Sequence, residues 1–503
     1  MGRSRVNRHV RRFFSVSSLL FIVCLAAGVA RAQSEVVVKI DDRVSGPTIP
    51  DDFAGLSFES SNLLADKNGN YLFSDSNKDL IQLFRTIGIK NLRVGGGTAD
   101  GPEYRVPGPA DIDQLFAFAK AADVRVIYTL RLLNGSIADD ANIASYIEQH
   151  YASQLVCFQI GNEPDWHSFH TSEGHKRDPR IVETVSEVPG TAYPSFLNDW
   201  KDFANAINAG TPAAKYTGPD TGSNYPVPGT KDTDFEGKSW TEHFALDEKA
   251  SGRLLFVAHH DYVGENGAGV SVPTAVEAML SKDWVTIRYP LLFEHVLEPV
   301  LKQGLSYRMT EANDYTGGVD GASNAFASAL WALDYLHWHA EHRAMGINFH
   351  NKRWIYTDTI YLDPSGAFRF NPKAYAFKAF DIGSHGSPVR LSITNQNEVN
   401  LTAYAVRDKE NLYVTVINKE YGPKARWAAV TIAAPEVSGH TAGMFLKSSN
   451  GDVTAKTGIT FGEAPITMDS WNGKWTELDA CKNGRTTVKV PAASAVVLKL
   501  ALQ

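Results

Sequence analysis

Three glutamates stand where apolar runs of the chain give way to polar residues. Glu59 closes "FAGLSFE", Glu163 follows "LVCFQIGN" and Glu311 follows "YRMT". An ionised carboxylate at the end of a buried strand is costly unless it is paired or used. Two carboxylates facing each other across a cleft can hydrolyse a glycosidic bond. In retaining hydrolysis one protonates the leaving oxygen while the other attacks the anomeric carbon, at a separation of about 5 to 5.5 Å; inverting enzymes hold the pair about 6.5 to 9.5 Å apart. Sequence spacing does not choose between the two. The blander alternative makes Glu163 a helix-start acid and Glu311 a surface residue.

The elements that would carry these residues form one repeated unit from about residue 50 to 350. Eight short apolar runs, "FAGLSFES", "NLRVGGG", "VRVIYTLRL", "LVCFQIGNEP", "KYTGPDTG", "LLFVAHHDYVG", "YRMTEAND" and "MGINFHN", alternate with amphipathic stretches such as "DLIQLFRTIG". Near-continuous apolar strands separated by helices predict a parallel sheet covered on its outer face. Eight such units predict an α/β fold, a (β/α)8 TIM barrel, whose chemistry sits at the C-terminal ends of the strands. Glu59, Glu163 and Glu311 then end strands one, four and seven. No GxGxxG follows the first strand, which argues against a dinucleotide fold. The longest insertion, residues 164 to 198, follows strand four and rises on the same face.

Beyond "NPKAYAFKAFDIGSHG" the pattern changes to alternation, as in "VNLTAYAVRD", "NLYVTVINK" and "SAVVLKLAL". This predicts an antiparallel β-sandwich over residues 386–503. The early "EVVVKI" has no helix after it and is expected to join that sandwich, so residues 33–48 are set apart from a catalytic barrel at 49–385. Residues 1–32 hold six arginines, no acid, an apolar stretch and Ala30-Arg31-Ala32. They are expected to be a signal peptide cleaved after Ala32, by the Sec or the twin-arginine route, giving a secreted or periplasmic protein with no stable membrane insertion.

Without those arginines 43 basic residues face 56 acidic ones. So acidic a chain argues against nucleic acid and long polyanions as partners. Cys24 leaves with the signal, and Cys157 and Cys481 lack any metal or redox spacing, so both are expected to be free, packed thiols. No zinc or calcium pattern appears, and no cofactor or metal is expected.

Taken together, "GLSFES", "QIGNEPD", "TEANDYTGG" with "FASALWALDYL", and "INFHN" resemble glycoside hydrolase family 79, the β-glucuronidase and heparanase family of the clan A retaining glycosidases. The resemblance implies a barrel followed by a β-sandwich. It makes Glu163 the general acid/base and Glu311 the nucleophile, with Asn162 on the sugar 2-hydroxyl, Tyr262 orienting the nucleophile and Glu59 binding sugar hydroxyls. A glucuronide carboxylate would be held by Tyr315 and by the backbone of Thr316, Gly317 and Gly318, with Tyr356 supplying a second hydroxyl and Lys352 or Arg353 a charge. The implied activity is that of an exo-β-glucuronidase; an endo-acting heparanase fits an acidic chain poorly. Two rivals stay open: the same machinery on a neutral β-glycoside, and a non-catalytic carbohydrate-binding barrel.

Other conspicuous residues have structural readings. Trp331, Tyr335 and Trp338 follow i, i+4, i+7 spacing and are expected in the core. His259 and His260 are expected to be hydrogen-bonded strand histidines, with His260 able to orient a site group. "VGGG" at 94 to 97 is expected to let the chain turn tightly beneath the substrate.

Overall fold

The structure is a computed structural model, described for residues 34–44, 46–166, 189–222, 237–351 and 355–503. The expected signal peptide, most of the insertion after strand four, and Lys352 and Arg353 lie outside these residues.

Strand β1 spans Ser34–Val44. The barrel strands are β2 (Ala54–Glu59), β3 (Asn91–Gly95), β4 (Arg125–Leu130), β5 (Leu155–Ile160), β6 (Tyr216–Thr217), β7 (Pro219–Thr221), β8 (Val257–Tyr262), β9 (Tyr307–Asn313) and β10 (Ala344–Asn351). Their hydrogen-bonded order is β6-β5-β4-β3-β2-β10-β9-β8-β7, all parallel. β6 pairs with β5, β7 pairs with β8, and Gly218 alone separates β6 from β7. The expected fifth strand is therefore one interrupted strand, and eight strand positions close the barrel.

Helices α1 (Lys78–Ile87), α2 (Pro109–Ala122), α3 (Ile137–Tyr151), α4 (Pro189–Gly210), α5 (Trp240–Glu248), α6 (Val272–Leu280), α7 (Phe326–Glu341) and α8 (Lys373–Gly383) follow successive strands. Local chemistry starts and stops them. Asn77, Ser136, Ser239 and Ser271 each accept a first-turn backbone N–H at the start of α1, α3, α5 and α6. Gly88, at φ 82°, ends α1 in the left-handed conformation that glycine adopts cheaply.

The C-terminal strands are β13 (Ser387–Thr394), β14 (Leu401–Arg407), β15 (Asn411–Asn418), β16 (Ala428–Ala433), β17 (Val437–Ser448), β18 (Ile459–Phe461), β19 (Thr476–Glu477), β20 (Arg485–Val490) and β21 (Ser494–Leu502), after a small hairpin of β11 (Ile360–Leu362) and β12 (Phe368–Phe370). They run β18-β17-β21-β15-β14-β13-β1-β16-β20. β1 joins this domain as expected, and the pairing is antiparallel throughout except that β1, antiparallel to β13, lies parallel to β16. β1 and β16 lie nearly 400 residues apart in the chain, so no turn constrains their relative direction.

The period-2 alternation of this sheet serves two cores. Ala403, Ala405, Leu412, Val414, Val416, Val496 and Leu498 build its own interior. The intervening Tyr404, Val406, Ile417, Ala495 and Val497 join the barrel's core. Helix α7 lies at that junction with nearly every residue buried, Trp331, Tyr335 and Trp338 included. Full burial of each such side chain contributes about 1.5–3 kcal/mol. The junction also holds a buried ion pair, Lys419 Nζ 2.7 Å from Asp334 Oδ2, with Thr402 and Tyr404 hydroxyls donating to Oδ1 at 2.7 Å each. Cys157 and Cys481 are free and buried. Among the described residues, no helix is long and apolar enough to cross a membrane.

Candidate active site

Strand ends of the barrel bring four carboxylates, two histidines and one arginine into a single network. β5 runs into Gly161 (φ 80°), Asn162 and then Glu163 (φ 47°), so a non-glycine residue is held in the left-handed region. That conformation costs about 1–2 kcal/mol. Two bonds hold it: Asn162 N–H donates to Asp100 Oδ2 (2.9 Å) and Glu163 N–H donates to the Asp220 carbonyl (3.0 Å). A Cβ on Gly161 would meet Leu132 Cβ at 2.9 Å, so glycine is needed there for space as well as for conformation.

Across the mouth, Glu311 is buried on β9. Tyr262 OH donates to its Oε1 (2.7 Å) and Arg93 Nη1 to its Oε2 (2.7 Å). Arg93, on β3, is itself fully buried, and also donates to Ser57 Oγ (3.0 Å), Gln159 Oε1 (3.0 Å) and Asn162 Oδ1 (2.6 Å). One guanidinium thus ties β2, β3, β5 and β9 together beneath the site. His350, from β10, places Nδ1 3.1 Å from Ser57 Oγ and 3.5 Å from Glu311 Oε2, and Nε2 3.4 Å from Glu59 Oε1.

These neighbours set the charge states. Burial pushes the Glu311 carboxyl up, but the positive His350, His260 and Arg93 and the Tyr262 hydrogen bond outweigh it and hold the group well below the usual carboxylate range. Burial likewise opposes ionisation of Glu59, yet the bond to and charge of His350 bring it down to about 2. His350 is raised in turn, with burial overcome by Glu311 and Glu59. His260, from β8, sits with Nδ1 2.9 Å from Glu163 Oε1 and Nε2 3.1 Å from Asp220 Oδ1. Burial works against its charge, but Glu311, Asp220 and Glu163 raise it to about 10.

One oxygen of Glu163, one of Glu311 and a ring nitrogen of His260 all lie within 4.8 Å of one another. Such a trio has the spacing of a metal site. Here each member already has a protein partner: His260 Nδ1 faces Glu163 and Nε2 faces Asp220, and Glu311 accepts from Arg93 and Tyr262. The arrangement is suited to proton transfer and carboxylate chemistry: one acid is fully enclosed among cations, while the other is about 29% exposed toward the cleft.

The glycine run closes around Glu59. A Cβ on Gly96 (φ 68°) would lie 2.5 Å from Glu59 Oε2, which accepts the Thr98 N–H at 2.8 Å. The loop after β9 is more occupied than expected. Tyr315 is buried, with its ring against Gly264 and Trp284. Thr316 N–H donates to Glu265 O (2.8 Å) and Gly318 N–H to Tyr315 O (3.1 Å). Gly317 and Gly318 have φ 81° and 70°, and a Cβ on Gly318 would meet Thr357 N at 2.9 Å and Tyr356 Cβ at 3.0 Å. The loops after β9 and β10 therefore touch, with Tyr356 40% exposed at their edge.

Sequence reasoning placed no role on Arg93, Asp220, Ser57, Gln159 or His350. The signal for Arg93 was a charge inside an apolar run, and that for His350 a histidine at a strand end. His259 bonds Thr221 and Thr241 at 3.0 and 3.1 Å, while His260 Nδ1 lies 2.9 Å from Glu163 Oε1.

No protein-family model matches the chain, and no curated protein matches it. Solved structures do. A 4-O-α-L-rhamnosyl-β-D-glucuronidase from Fusarium oxysporum 12S matches with TM-score 0.67 at 15% identity, over 92% of this chain and 100% of its own. A GH51 arabinofuranosidase from Xanthomonas axonopodis pv. citri gives TM-score 0.62 at 13% identity over 93% and 100%. CelM2, a bifunctional glucanase-xylanase from a metagenome library, gives 0.62 at 16% over 94% and 100%. The chain thus shares with these glycoside hydrolases a fold of a parallel barrel joined to a second β-sheet domain.

Proposed function

We propose that the protein is a retaining exo-β-glycosidase that releases glucuronic acid from β-glucuronides. The observation that carries the reading is the Glu163/Glu311 pair: carboxylate oxygens within 4.8 Å across the barrel mouth, in unlike surroundings. An approach this close between one oxygen of each carboxylate supports the shorter spacing of double displacement over the wider spacing of an inverting pair.

In this mechanism Glu311, kept ionised by Arg93, His350 and Tyr262, attacks the anomeric carbon, and Glu163 gives its proton to the departing oxygen. Glu163 then takes a proton from water, which attacks the glycosyl-enzyme, and Glu311 leaves. Asn162, its Oδ1 pinned by Arg93, presents its amide N–H to the sugar 2-hydroxyl. Glu59, ionised beside His350, accepts from other hydroxyls.

The uronate preference draws support from the contact between the 315–318 loop and Tyr356, and from the glucuronidase among the fold neighbours. A second reading, a neutral β-glycoside, is favoured by one specific observation: Thr316 and Gly318 N–H groups are already bonded and Tyr315 is packed. A panel of aryl β-D-glycosides separates them. The glucuronide should be cleaved fastest with retention of configuration; equal or faster cleavage of the glucoside refutes the uronate assignment. Glu163→Gln and Glu311→Gln should each fold and lose about 10²-fold or more in turnover; wild-type rates in either would rule out the role assigned to that residue, and no turnover of any aryl glycoside by the unaltered protein would return the chain to the binding-protein class.

A further inference from the structure

Glu163 is gripped at both of its ends by a residue from a different strand. Asp220 lies on β7, fully buried, with its backbone at φ 57°, so it too is a non-glycine residue in the left-handed region. Its carbonyl accepts the Glu163 N–H at 3.0 Å. Its Oδ1 accepts from His260 Nε2 at 3.1 Å, and the other nitrogen of that ring donates to Glu163 Oε1 at 2.9 Å. The Thr310 hydroxyl, from β9, also donates to Asp220 Oδ1, so that one oxygen holds both contacts. Two backbone positions that are costly in isolation therefore brace each other.

We infer that Asp220 is a positioning residue for the acid/base step, holding Glu163 through its own carbonyl and through His260. The inference rests on the proposed role of Glu163. The chain Asp220–His260–Glu163 leaves the glutamate one oxygen bound to a ring N–H and one oxygen available to the leaving group. A buried carboxylate behind an imidazole fixes which ring nitrogens carry protons, because each N–H must point at an acceptor. His260 is faced by Glu163, Asp220, Glu311 and the neighbouring His259. Of the carboxylates, Asp220 is the one on its far side from Glu163, and its charge keeps the second proton on the ring while Glu163 changes protonation during turnover. Asp220 itself touches no reacting atom.

Leaving-group dependence tests this. Protonation matters for a poor leaving group such as methanol and hardly at all for 2,4-dinitrophenol, so a residue acting through Glu163 must discriminate between them. Asp220→Asn keeps the shape and removes the charge. It should lower kcat/KM on a methyl β-glucuronide by about ten- to a hundredfold, the worth of one charge-assisted hydrogen bond, and leave the dinitrophenyl glycoside within about threefold. In a Glu163→Ala background the same substitution should add nothing. If Asp220→Asn does not fold, Thr310→Val, which removes the donor to Asp220, should show the same discrimination at smaller size. Equal loss on both substrates, or full additivity with Glu163→Ala, overturns the assignment of Asp220. If Glu163→Ala itself fails to discriminate between the leaving groups, the reading of Glu163 fails instead.

Discussion

Removing the Arg93 guanidinium is the most informative perturbation of this site. Arg93 is fully buried and donates to four side chains from three strands and the GNEP turn, at 2.6 to 3.0 Å. Arg93→Met keeps the apolar stem and removes every donor. Glu311 is then a buried carboxylate without its closest cation, and breaking such a pair by deleting one partner costs about 3–5 kcal/mol. Part of that cost disappears if Glu311 takes up a proton, so its carboxyl should rise from its depressed position, and activity that needs the carboxylate should fall with an acid limb moved to higher pH. Asn162 also loses its anchor. Denaturant unfolding of Arg93→Met, Glu311→Gln and the double variant, together with pH-rate profiles, checks the reasoning. The Arg93→Met penalty should shrink by about 2 kcal/mol or more in the Glu311→Gln background, where no charge is stranded. Additive stabilities with an unshifted acid limb would refute the account of why Glu311 stays ionised.

Two further outcomes follow from the buried charges. Glu59 and Glu311 are depressed on folding, so their contribution to stability is present above the ordinary carboxylate range and lost as pH falls, for Glu59 toward about 2 and for Glu311 lower still. His260 is raised to about 10, so its contribution is complete below its ordinary value of 6.5 and lost as pH rises toward 10. Stability measured against pH should therefore decline on both sides of neutrality, with Glu59→Gln flattening the acid side; an unchanged acid slope would contradict the pairing with His350. At the junction of barrel and sheet, Lys419→Met should strand Asp334 and cost about 3–5 kcal/mol, while Lys419→Met with Asp334→Leu should recover much of it. Thermal unfolding reads this, and KM should stay unchanged because the pair is remote from the strand-end network.

Local pattern carried much of this protein. Eight apolar runs with helical stretches between them specify a barrel because side-chain periodicity is a property of neighbouring residues, and an acid at the end of such a run is visible as a break in it. Glu59, Glu163 and Glu311 were legible on that ground, as was the core role of Trp331, Tyr335 and Trp338. Convergence was not. Arg93 meets Glu311 across 218 positions and Ser57 across 36, and Asp220 meets both Glu163 and His260 because the interrupted fifth strand lies between β5 and β8. A charge inside an apolar run looks the same in sequence whether it points into the barrel or out. The parallel pairing of β1 with β16 was hidden for a similar reason, since no turn joins them. Burial of Tyr315 depends on Gly264 and Trp284 filling the space beside it, which spacing along the loop does not reveal. Sequence determined which residue types stood at the mouth of the barrel, and only closure of the sheet decided which of them hold one another's charge, because hydrogen bonds and desolvation act over a few ångströms of space and not along the chain.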